Sequence, residues 1–163
     1  MVKLLGEASL YKPPFTISIR QSDRPGTTFG DAIVLEASHI TAHPDDQGML
    51  VHELAHVVQD YPHAPYWLIE GIADYVRYAL GYMDVFSPGG CGPGESYKGG
   101  YACGATLLRF VENRFPGTVR RLQQRLRDDS FDGHLVPGVE TEALWQLCQQ
   151  GPCAAEPRVS PPR

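Results

Sequence analysis

Between positions 15 and 20 apolar Phe15, Ile17 and Ile19 alternate with polar Thr16, Ser18 and Arg20, the two-residue period of a half-buried strand. Ala32 to Glu36 is a second short run of strand formers, and the turn residues Asp23, Pro25 and Gly26 separate the two. After that the period lengthens to that of a helix. Met49-Leu50-Val51 and Val57-Val58 bracket a polar stretch, and His43-Pro44-Asp45-Asp46 before it sets acids at the positive end of a helix dipole. A second helix is expected from Pro65 to Ala79, with Ile69, Ile72, Val76 and Leu80 toward the core. Further helices are expected over Gly100 to Arg114, from Thr118, and over Thr141 to Gln149. The pattern therefore predicts an α+β fold, a small mixed or antiparallel sheet followed by a mainly helical part. One domain over residues 1–151 accommodates it, and the proline-rich residues 152–163 read as an unstructured tail.

The polar stretch between the apolar brackets is His52-Glu53-Leu54-Ala55-His56. A helix turns about 100° per residue, so histidines four apart lie roughly 40° apart on one face and can close on one metal ion. Glu53 falls beside them, within reach of a water at that metal, where a general base belongs. Zinc takes imidazole nitrogens and carboxylate oxygens, and a catalytic site uses three protein ligands and keeps a fourth position open. Surface histidines on a solvated helix are the alternative, but the flanking apolar runs argue for burial, where ring nitrogens need partners. Glu70 and Asp74, also spaced four apart, share one side of the second helix. Glu70 is the expected third ligand, and Asp74 the acceptor that fixes the tautomer of a ligating histidine. Two surface acids neutralised by Arg77 would be the plainer reading.

These residues carry a resemblance. HELAHVVQDYPHAPYWLIEGIADYVRYALGY is similar to the core of the basic secretory protein family, plant and bacterial proteins regarded as zinc metallopeptidases of the gluzincin type. DAIVLEASHITAHPDD upstream, GGYACGATLLRFVENRF and TEALWQL downstream extend the likeness over roughly residues 15–149. It implies a zincin-like fold with His52, His56 and Glu70 as zinc ligands, Glu53 as catalytic base, and peptides or proteins as substrates. Glu70 and Asp74 match the Glu-x-x-x-Asp arrangement of thermolysin-like members. A zinc-retaining binding protein with little catalysis and a zinc amidase acting on a small substrate are the alternatives. The likeness also implies secretion, whereas Met1 to Glu7 is far short of an apolar signal-peptide core, so a cytoplasmic location is the alternative.

Plant members of the family are usually basic, whereas this chain of 163 residues carries a net charge of −5. That balance argues against nucleic-acid and anionic-membrane partners, and no apolar run is long enough to cross a bilayer. A monomer is expected. Arg114, Arg120, Arg121, Arg125 and Arg127 surround the stripe Val119, Leu122 and Leu126 and read as a solvated helix face. The glycine-rich segment Ser87 to Gly100 is either a cleft rim or a tolerated insertion. Tyr101, at its end, is a candidate oxyanion donor, with Tyr97 in reserve and a core role beside Ala105 and Leu108 as the alternative. Of the three ways to pair four cysteines, Cys91 with Cys103 and Cys148 with Cys153 is preferred, against free thiols in a reducing compartment. His39 and His43 are expected on an edge strand that could pair with an extended peptide, and His63 and His134 in exposed turns.

Overall fold

The computed structural model describes residues 14–82, 91, 94–151 and 153. Three strands come first: β1 (Thr16–Arg20), β2 (Gly26–Phe29) and β3 (Ala32–Glu36). They form one mixed sheet in the order β1-β3-β2, with β1 parallel and β2 antiparallel to β3. Gly30, at φ +59°, makes the tight turn that folds β2 onto β3. Helices follow: α1 (Ala37–Ala42), α2 (Gln47–Gln59), α3 (Tyr66–Ala79), α4 (Tyr101–Arg114), α5 (Thr118–Arg127) and α6 (Thr141–Gln149). The chain is thus α+β, as the periodicity predicts.

Two apolar clusters hold these elements. Ile33 and Leu35 of β3 pack with Met49 and Val57 of α2, fixing that helix across the sheet. A larger cluster joins α3, α4, α5 and α6 through Leu68, Ile72, Val76, Leu107, Leu108, Leu122, Leu126, Leu144 and Trp145, with Ala55 of α2 at its border. The second face of α2 is thereby tied to α3.

Several sequence expectations are corrected. β1 is exposed along its whole length, with Ile17 46% and Ile19 63% accessible, because it is the outer strand and α2 packs against β2 and β3 instead. Between the two expected strands lies the short β2. His39 sits on α1 and His43 caps it, not on an edge strand: the Glu36 carboxylate accepts the His39 N–H and turns the chain into a helix. The core stripe of α3 runs through Leu68, Ile72, Ala73 and Val76, and Leu80 is an exposed cap. Arg125 and Arg127 are more than solvated: Arg125 binds the carbonyls of His134 and Leu135, and Arg127 that of Val58. The Ser87–Gly90 part of the glycine-rich segment, Gly92 and Pro93, and the expected tail apart from Cys153, lie outside the described residues.

Helices α3 and α4 meet at backbone distance. A Cβ at Gly104 would stand 2.9 Å from the Trp67 carbonyl oxygen and 3.0 Å from Gly71 Cα, so neither wall has a side chain that could move aside. Gly104→Ala is therefore expected to destabilise the protein by about 1–3 kcal/mol despite a better helix propensity. Thermal denaturation should show a melting temperature lower by roughly 2–4 °C per kcal/mol; an unchanged or raised value would refute the close contact.

Candidate active site

Helix α2 starts where the Asp46 side chain accepts the Met49 N–H at 3.1 Å, and its next turns bring His52 and His56 to one face. Each ring is oriented from outside. His52 Nδ1 meets Asp74 Oδ1 at 2.7 Å, and His56 Nδ1 meets Gln59 Oε1 at 2.8 Å, while Gln59 Nε2 is spent on the Ile69 carbonyl at 2.7 Å. With both Nδ1 atoms engaged, the two Nε2 atoms face inward, 3.0 Å apart. Glu70 Oε2 joins them at 3.2 Å from His52 Nε2 and 3.5 Å from His56 Nε2.

Ligand atoms about 2.0–2.1 Å from a tetrahedral zinc lie about 3.3 Å from one another. The three separations bracket that value, and two neutral imidazoles with one carboxylate are a zinc donor set. The residues present therefore fit the metal. Cys91, Glu95 and Cys103 also converge, but Cys91–Cys103 and Cys148–Cys153 are disulfides, so no described thiolate is left to ligate a second ion.

Tyr66, Glu70 and Asp74 of α3 stand at successive four-residue intervals, one stripe along the helix facing α2. Behind it Arg77, only 5% exposed, donates to Asp46 Oδ1 at 2.9 Å and lies 3.9 Å from Asp74 Oδ1. One guanidinium thus links the N-cap of α2 to the carboxylate that orients His52. Gly48 leaves the space this needs, since a Cβ there would collide with Arg77 and the Tyr82 carbonyl.

Glu53 is buried beside His52 and His56, and β2 holds it. The Thr28 hydroxyl donates to Glu53 Oε2 at 2.7 Å, and a Cβ at Gly26 would come within 2.7 Å of Oε1. Glycine at 26 leaves room for this carboxyl. His52, His56, Glu70 and Glu53 open onto a cleft of about 1460 Å³ walled by β2 on one side and by Tyr66, Ile69 and Tyr101 on the other. That exceeds the roughly 300–1,000 Å³ of a small-molecule pocket and leaves room for an extended chain.

Tyr101 is at the cleft, its ring 6.0 Å from that of His52 and within 10° of parallel. Tyr97 is not: it is buried between Trp67 and Trp145, which makes it a core residue. Trp67, partly buried, packs against that core. His39 pairs with Asp46 at 3.1 Å at the cleft margin; His63 is exposed beside Asp129, and His134, partly exposed, lies between Asp132 and Glu140. Sequence reasoning missed Gln59, Thr28, Gly26 and Tyr66. The spacing of Gln59 three after His56 and of Tyr66 four before Glu70 could have found two of them; nothing local marks Thr28 or Gly26.

Charge is shared tightly here. Burial opposes a charge on His52, but the Asp74 and Glu70 carboxylates outweigh it and push its pKa up to about 9. Burial also opposes a charge on Glu70, yet its contacts with His52 and His56 draw its pKa down to about 2.

A family model described as BSP, peptidase of plants and bacteria, matches residues 14–148, a span that takes in every residue of the cleft. No curated protein and no solved structure matches the chain.

Two outcomes are expected. In metal-free protein the stabilisation from charged His52 is complete below its ordinary 6.5 and lost as pH rises through about 9, while that from Glu70 is complete above its ordinary 4.5 and lost as pH falls through about 2. Urea denaturation after chelation should therefore find this contribution greatest between pH 4.5 and 6.5; stability that climbs from 6.5 to 9 would contradict it. Separately, Arg77→Leu leaves Asp46 and Asp74 buried without their guanidinium and should cost about 3–5 kcal/mol in the same measurement.

Proposed function

The chain belongs to the BSP family, the peptidases of plants and bacteria, and from this membership we propose that it is a zinc-dependent peptidase whose general base is Glu53. The observation that carries the proposal is the convergence of His52, His56 and Glu70, whose ligand atoms all lie within 4.8 Å of one another, with Glu53 beside them. His52 and His56 would hold the zinc through Nε2 and Glu70 through a carboxylate oxygen. When bound, zinc supplies Lewis acidity that polarises the scissile carbonyl and makes an attacking water acidic near neutral pH.

The side chains do the rest. Glu53, fixed by Thr28, accepts the proton of the attacking water and passes it to the departing amine. Tyr101 offers a phenol proton to the oxyanion that forms at the carbonyl. Asp74 and Gln59 keep each histidine in the tautomer that leaves Nε2 free for the metal. The outer edge of β2 lies along the cleft, where an extended peptide can add by main-chain hydrogen bonds. This takes the place expected for the stretch holding His39 and His43. A site serving structure alone would be closed by four protein ligands and would need no carboxylate beside it, which disfavours the binding-protein alternative. The two disulfides support action in an oxidising compartment outside the cytoplasm.

The test is a pair of variants assayed on a fluorescence-quenched peptide library with a chelator control. Glu53→Gln should retain one zinc per chain by elemental analysis and lose about 10²–10⁴-fold in turnover. His52→Ala should lose the metal itself. Undiminished cleavage by Glu53→Gln would remove Glu53 from its role, and a wild-type protein that binds no zinc would refute the proposal.

A further inference from the structure

We infer that Tyr66 is a positioning residue for the reaction, acting through Tyr101 to aim that phenol's proton into the cleft; this rests on the peptidase reading above. Tyr66 sits one helical turn before Glu70 on α3, which puts it on the cleft wall although it comes from a different helix than Tyr101. The two hydroxyls are 2.9 Å apart, with Tyr66 donating, and the rings meet edge to face at 6.1 Å. No other described group bonds either hydroxyl.

A pair of phenols has two protons, and one hydrogen bond between them uses only one. With Tyr66 donating, the proton left over belongs to Tyr101, the ring stacked on His52. A phenol oxygen that already accepts a hydrogen bond is also a stronger donor, since consecutive bonds polarise one another.

A second observation sets the pair apart from two rim tyrosines that happen to touch. Tyr101 has φ +43°, a left-handed conformation that bulky residues avoid. Such strain persists only where the surroundings fix it. Here Gly100, at φ +78°, lies so close to α3 that a Cβ would stand 3.1 Å from Glu70 Cβ, and the Tyr66 hydroxyl anchors the far end of the ring. The backbone of Tyr101 is thus pinned to the ligand helix at one end and its phenol at the other.

Tyr66 is 55% and Tyr101 44% exposed, so removing either hydroxyl should leave the fold intact. The experiment compares wild type, Tyr66→Phe, Tyr101→Phe and the double variant on a fluorescence-quenched peptide selected with the wild-type protein. Tyr101→Phe should lose about 10²–10³-fold in kcat. Tyr66→Phe should lose about tenfold in kcat, with KM, zinc content and melting temperature unchanged. The double variant should be no slower than Tyr101→Phe, because Tyr66 has no other route to the reaction. An unimpaired Tyr66→Phe, a change in KM alone, or losses that multiply in the double variant would overturn the inference while leaving the peptidase reading standing. Absence of zinc-dependent cleavage by the wild type would overturn both.

Discussion

The site depends first on the hydrogen bond between His52 Nδ1 and Asp74 Oδ1, 2.7 Å long and buried. It joins α2 to α3 at the level of the metal donors, and by engaging one ring nitrogen it decides which way the other faces. Arg77 and Asp46 close the same connection one layer back. Charges removed from water so completely are tolerable only when paired, so these four groups bind the two helices at one spacing. If that spacing slipped by an ångström, His52, His56 and Glu70 would still be neighbours but would no longer suit one ion.

The cleft is assembled from opposite walls with unequal freedom. The wall bearing Glu70 is stiff: α3 and α4 touch through Gly71 and Gly104 without side chains between them, and the same approach brings Gly100 against Glu70 and Tyr101 over His52. The facing wall is β2, a short strand paired with β3 on one side only. Its inner residues Gly26 and Thr28 shape the pocket of Glu53, and its open edge remains available to an incoming chain. The proposed base is therefore positioned by the same element that would align a substrate.

Much of this was legible because the chemistry is local in sequence. His52, Glu53 and His56 lie within two turns of one helix, and Glu70 and Asp74 within two turns of another, so helical spacing alone groups them. What stayed hidden depends on partners far along the chain. Thr28 reaches Glu53 across 25 positions, and no rule of spacing connects them. The sequence Gly-Thr-Thr-Phe reads as part of a turn and becomes β2 only through pairing with β3 and contact with α2. The alternation in β1 predicts a buried face correctly for a sheet in general, but α2 covers β2 and β3 and leaves Ile17 and Ile19 outside. Tyr101 ranks ahead of Tyr97 in the sequence, but only the strained turn between them sends one into the core and the other to the cleft.

Both described covalent cross-links lie late in the chain and span short loops, 12 and 5 residues. Neither reaches the sheet or α2. The portion bearing the two imidazoles is thus retained by burial, buried charge and hydrogen bonds such as that from Arg127 to the Val58 carbonyl, with no cross-link, and it is there, not in the stapled helical half, that the native state would begin to come apart. A chelator and a denaturant would accordingly attack the same seam, since the proposed zinc would be a tie between α2 and α3 that no sulfur bridge replaces.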